Sequence, residues 1–118
     1  MKVTMTHNPA CGTSRNVLAL LRQHGIEPTI IEYLKTPLSR GEIAALVKRM
    51  GVKVRDVMRK KEALYSELKL EKADDDTLLE AMVMHPILLN RPIVTVVSDS
   101  VAPRTKLCRP SESVAEIL

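Results

Sequence analysis

The chain is nearly free of aromatic residues, with no Trp, no Phe, and only Tyr33 and Tyr65 among 118 positions. Its core must therefore come from Leu, Ile, Val, Met and Ala. The same shortage weakens one reading of the net charge of +4, because single-strand nucleic-acid binders stack bases on aromatic side chains. Helix-turn-helix and zinc-finger spacings are missing too. No nucleic-acid partner is expected, and most Lys and Arg read as solvated surface. Long apolar runs are absent: stretches such as Val17 to Leu21 fall far short of the roughly 20 residues of a membrane span. No signal-peptide hydrophobic region precedes the strand pattern that starts at Met1-Lys2-Val3. A cytoplasmic protein without membrane association is the expectation. Cysteine is scarce, with Cys11 and Cys108 alone, which argues against a disulfide framework. Cys and His lack zinc spacing, and there is no G-x-x-x-x-G-K phosphate loop. Neither a metal nor a bound organic cofactor is expected.

What is present centres on Cys11. It lies in His7-Asn8-Pro9-Ala10-Cys11-Gly12-Thr13-Ser14-Arg15-Asn16, after a strand pattern and before a helical one. A sulfur at the mouth of a helix meets its free N–H groups and positive dipole end. That setting favours the thiolate and lowers a pKa that is otherwise about 8.5. The same N–H groups can hold an anion beside the sulfur. The blander alternative is an inert buried cysteine, disfavoured by the polar Gly-Thr-Ser that follows. Cys11-Gly12-Thr13-Ser14 is C-x-x-S, so the second thiol of a dithiol motif is missing. A phosphatase-like Cys-x5-Arg loop would need arginine where Val17 stands, which rules out the oxyanion chemistry built on that loop.

With 45% hydrophobic residues and 118 in all, the chain suits one compact domain spanning residues 1–118. Lys2 to His7 alternates as a strand. Ser14 to His24 carries Val17, Leu18, Leu20 and Leu21 on one side and stops at Gly25. Pro28 to Tyr33 reads as a second strand, parallel to the first in a βαβ unit. Ser39-Arg40-Gly41-Glu42 is a capping box for a helix carrying Ile43, Leu46, Val47 and Met50, which Gly51 ends. Val54, Val57 and Met58 mark a short helix, and Asp74-Asp75-Asp76 caps another with Leu78, Leu79, Met82 and Val83. Ile93 to Val97 is a β-branched strand. A last strand ends near Leu107, and a terminal helix runs from Pro110-Ser111-Glu112 to Leu118. The order is β-α-β, a helical insertion, then β-β-α: an α/β chain with a mixed sheet.

This order, with a cysteine after the first strand, resembles the thioredoxin-like fold. More closely, the chain resembles the glutaredoxin-dependent arsenate reductases of the ArsC family. The motifs that carry the likeness are the Cys11 segment, Val54-Arg55 to Arg59-Lys60, His85-Pro86-Ile87-Leu88-Leu89-Asn90-Arg91-Pro92-Ile93-Val94, and Leu107-Cys108-Arg109-Pro110-Ser111-Glu112. The resemblance implies that Cys11 is the nucleophile. It further implies that Arg59, in the helix after the capping-box helix, joins Arg91 and Arg109 around an oxyanion. It implies a cis Pro92, arsenate as substrate, arsenite as product, glutathione as co-substrate and glutaredoxin as partner. Composition alone would make all three arginines surface charge. Longer family members continue past the position of Leu118, and Ser98 to Lys106 is slightly longer here than is common.

Other residues keep two readings. His7, four positions before Cys11, either donates to the thiolate or organises the turn. Ser14 either bonds the sulfur or helps cap the helix. Cys108 reads as a passive strand residue. A monomer is expected. Two alternatives to arsenate reduction remain at this stage. One is a related oxidoreductase of another substrate. The other is an Spx-type regulator that binds RNA polymerase, although those regulators usually carry Cys-x-x-Cys where this chain has Ser14.

Overall fold

The alternation of Val3 and Met5 with polar residues forms strand β1, Lys2–Thr6, in a computed structural model that describes residues 1–118. Helix α1 (Gly12–Gln23) and strand β2 (Thr29–Ile31) follow. Next come α2 (Arg40–Met50), α3 (Ala63–Glu67) and α4 (Asp75–Met84), and finally β3 (Ile93–Val97) and β4 (Arg104–Leu107). The chain divides into two units, Met1–Thr36 with Arg91–Leu118, and Pro37–Asn90. No helix is long and apolar enough to cross a membrane.

The first unit holds a four-stranded mixed sheet of order β2-β1-β3-β4, the α/β architecture expected of a thioredoxin-like fold. β1 pairs parallel with β2 and antiparallel with β3, so Met5 faces Ile30 on one side and Val94 on the other. Val3, Met5, Val94 and Val96 bury against Val17 and Leu21 of α1, together with Val114, Ile117 and Cys108. Each fully buried side chain of this kind contributes about 1.5–3 kcal/mol. α1 ends as its sequence demands: Gly25 takes φ +74°, and the Ile26 N–H reaches back to the Leu21 carbonyl at 2.9 Å, a Schellman closure.

Two local expectations differ here. The second strand stops at Ile31, because the Glu32 carbonyl accepts from both the Lys35 and Thr36 N–H groups, each at 2.9 Å. Tyr33 therefore sits in a turn. The terminal segment Ser111–Ile117 is a 3-10 helix, not an α-helix. Its Pro110 carbonyl is taken by the Ser113 N–H at 3.0 Å and the Ser113 hydroxyl at 2.7 Å. A three-residue repeat also stacks Val114 above Ile117, so both reach the core.

In the second unit the capping box of α2 is complete, with Glu42 N–H to Ser39 Oγ at 3.2 Å and Ser39 N–H to Glu42 Oε1 at 2.9 Å. Gly51 closes the helix at φ +67°. Asp74 caps α4 by accepting from the Thr77 N–H at 2.8 Å. Ile43 and Val47 of α2 and Leu78, Leu79 and Met82 of α4 are buried. The short helix expected over Val54 to Met58 is a 3-10 turn ending at Val57. Met58 is instead extended and bridges Leu89, with Arg59 N–H to Leu88 O at 2.7 Å and Asn90 N–H to Val57 O at 2.8 Å. α3 had no sequence signal. Its Tyr65 hydroxyl accepts from Arg55 Nη1 at 2.6 Å, and Arg55 also holds the Leu70 and Ala73 carbonyls.

Candidate active site

Cys11 is the N-cap of α1, in extended backbone at φ −93° and ψ 123°, and its side chain caps nothing. The first N–H groups of the helix remain available to the sulfur and to an anion beside it. The turn that presents it is fastened by its own residues. The Cys11 N–H donates to Asn8 O at 2.9 Å, and the Ala10 N–H donates to Asn8 Oδ1 at 3.0 Å. Arg15 Nη1 reaches Pro9 O at 2.9 Å. Ser14, fully buried, accepts from the Asn8 N–H at 3.1 Å and lies 2.6 Å from His7 Nδ1. The Ser14 hydroxyl and His7 Nδ1 share this hydrogen bond, with donor and acceptor set by the imidazole tautomer. Burial, first, lowers the His7 pKa, against the pull of Glu32, so a neutral ring suits the site. The side chains of His7 and Ser14 thus hold the turn.

The second wall comes from the far end of the chain. The Ile93 N–H donates to Thr6 Oγ1 at 2.8 Å, fixing the Arg91-Pro92-Ile93 segment to the end of β1. The Cys108 N–H donates to Pro92 O at 2.9 Å, which brings Arg109 alongside. Arg109 Nη1 then spans two groups, the Arg91 carbonyl at 2.9 Å and Cys11 Sγ at 3.9 Å. Arg91 itself is buried, at 8% exposure. The Arg91–Pro92 bond is cis, as the resemblance implied, and so is Arg109–Pro110.

These neighbours set the charge on the sulfur. Burial raises the Cys11 pKa, but the Ser14 backbone N–H, Arg91 and Arg109 together outweigh it and bring the thiol below its ordinary value. At Cys108 burial prevails over the Lys106 charge and a Val94 backbone contact. That residue is fully buried in the core, and desolvation pushes its pKa up to about 12.

Among the residues singled out from sequence, Cys11, His7, Ser14, Arg91 and Arg109 lie together in one unit. Arg59 belongs to the unit Pro37–Asn90. It follows the 3-10 turn rather than sitting in a helix, its backbone is clamped to Leu88, and its Nε is buried without a hydrogen-bond partner. Asn8 was missed by the sequence reading, although Asn before Pro is a recognised turn signal. No group of three or more His, Cys, Asp or Glu side chains could hold a metal. The site places a thiol held below its ordinary pKa beside guanidinium groups whose forked donors match a tetrahedral oxyanion.

Comparison with known proteins agrees with that chemistry. A model of the ArsC family matches residues 6–117. The arsenate reductase of Rhizobium meliloti strain 1021 is 53% identical over 121 aligned positions, covering 100% of this chain and 82% of that protein. The arsenate reductase of Escherichia coli K12 is also 53% identical, with 98% and 80% covered. Among solved structures, an arsenate reductase from Vibrio cholerae superposes with a TM-score of 0.90 at 45% identity, covering 100% of this chain and 98% of that one.

Proposed function

The chain belongs to the ArsC family, and from that premise we propose that it is an arsenate reductase drawing electrons from glutathione and glutaredoxin. One observation supports this reading above the others: Cys11 Sγ lies 3.9 Å from the Arg109 guanidinium in a setting that lowers its pKa. Arsenate enters as an oxyanion, held by the arginines and the N-terminal N–H groups of α1. The Cys11 thiolate attacks arsenic, an As–O bond breaks, and the oxygen leaves as water with protons from the acid arsenate. Arsenic stays pentavalent in this cysteine–arsenate adduct. Glutathione then adds to arsenic through its thiol and displaces a second oxygen as water. The glutaredoxin thiolate attacks the glutathione sulfur, forming a mixed disulfide and leaving an electron pair on arsenic. Arsenic becomes trivalent, and hydrolysis of its bond to Cys11 frees arsenite and the thiol. Two thiols have supplied two electrons.

In this reading Arg91 and Arg109 act twice, neutralising the incoming anion and then the charge on the adduct. Arg59 is the third guanidinium by the family correspondence. Neither a metal nor a bound organic cofactor is needed, since sulfur supplies both the nucleophile and the electrons. We place the reaction in the cytoplasm, where reduced glutathione is plentiful, and assign it to the monomer. The test is NADPH oxidation coupled through glutathione reductase, with arsenate, glutathione and glutaredoxin all present. Turnover that requires all three is the expected result. Turnover without glutaredoxin would refute the electron path, and no turnover would move the chain to an oxidoreductase of another substrate.

A further inference from the structure

Tyr33 is fully buried in the turn after β2, and its hydroxyl has no partner at regular hydrogen-bond geometry. A phenylalanine would fill the same space without leaving a buried polar atom ill-matched. Packing therefore explains the ring but not the oxygen. The polar groups that act on this phenol belong to the Cys11 site: the side chains of Asn8 and Arg91, and the charge of Cys11. Asn8 Oδ1 accepts from the Ala10 N–H, and the amide NH2 is the donor that side chain has for a phenol oxygen. Arg91 has only donors to offer. A neutral phenol oxygen accepts from both kinds of group, and burial raises the Tyr33 pKa, which keeps it neutral. Loose polar contacts of this kind at a reactive site tighten when substrate charge arrives.

We propose that Tyr33 is a positioning residue, its buried hydroxyl oxygen orienting the Arg91 guanidinium and the Asn8 amide beside Cys11. It acts through Arg91, by restricting the directions in which the guanidinium can point. The kinetic half of its test rests on the proposed arsenate chemistry, whereas the thiol half does not.

The experiment is Tyr33→Phe in the full chain, with Cys11 alkylation by iodoacetamide followed against pH, arsenate kinetics, and thermal unfolding. Tm is expected to stay within about 4 °C of wild type or to rise. The alkylation midpoint should move up by about half a pH unit, about threefold less thiolate at pH values below it. kcat/KM for arsenate should fall about tenfold, chiefly in kcat, because the aim of the guanidinium matters most as charge develops on the leaving oxygen. In an Arg91→Lys background the same change should cost less than about twofold, since coupled residues are not additive. An unchanged alkylation profile would overturn the proposal, and so would a full tenfold loss in the Arg91→Lys background. A Tyr33→Phe chain that fails to fold would also overturn it, by making the hydroxyl structural. If wild type reduces no arsenate, the alkylation midpoint alone decides for or against Tyr33.

Discussion

Two sulfur atoms in one folded unit have opposite chemistry. Cys11 stands at the N-terminus of α1, where the Ser14 N–H, Arg91 and Arg109 act on its sulfur. Cys108 lies among Val3, Met5, Val17, Leu21 and Val114, where its thiol makes a weak contact to the Lys106 carbonyl at 3.5 Å. Burial opposes ionisation at both. At Cys11 it is outweighed by directed N–H groups and positive charge, and at Cys108 it prevails, with the pKa near 12. What separates the two thiols is the balance: two guanidinium groups and a helix N–H act on Cys11, whereas at Cys108 deeper burial overrides the Lys106 charge and a Val94 backbone contact.

The sharpest way to break that comparison is to exchange the sulfurs. Cys11→Ser should abolish arsenate reduction in the coupled assay, because a serine hydroxyl does not ionise in this range. Cys108→Ala should retain most turnover. If Cys108→Ala were as inactive as Cys11→Ser, an internal dithiol would replace glutathione in the mechanism. Next in size is Arg91→Ala, which removes a donor while leaving the sulfur. A loss of about 3–4 kcal/mol of transition-state stabilisation is expected, a hundredfold or more in kcat. Arg91→Lys should recover little of it, since an ammonium lacks the forked donors. Full recovery by lysine would show that charge alone suffices.

Smaller effects separate the sulfurs by pH and by packing. Alkylation of native protein should modify Cys11 at pH values below the ordinary thiol range, leaving Cys108 untouched until the chain unfolds. Equal rates at the two positions would erase the distinction. Cys108→Ala should lower unfolding stability by about 1–2 kcal/mol, the cost of a small core deletion. The raised pKa of Cys108 also gives a pH slope. Its neutral thiol is favoured in the fold, so that contribution is complete below the ordinary thiol value and is lost as pH rises toward about 12. Denaturant titrations of wild type should show stability falling across that window. The Cys108→Ala variant should lack this component, and an identical slope in both proteins would assign it to other groups.

Local physics made much of this molecule legible from its residues. Alternating Val3 and Met5 specify a strand, Ser39 with Glu42 closes a capping box, and Gly25 and Gly51 end helices in left-handed backbone. Each depends on residues a few positions apart, whose hydrogen bonds and periodicity act within one turn or strand. Cys11 was legible for the same reason, as the residue between a strand and the helix that follows it. Tertiary structure decided the rest. Arg109 meets a sulfur 98 residues away only because β3 lies beside β1 and β4 beside β3, an order set by burial of both strands against α1. The same packing turned the last helix into a 3-10 segment that seats Val114 and Ile117, and it enclosed Tyr33 near Arg91 and Asn8. A sequence specifies which groups can donate, accept or ionise. Which of them face one another depends on how the apolar faces of distant elements exclude water, and that is settled only when the chain closes on itself.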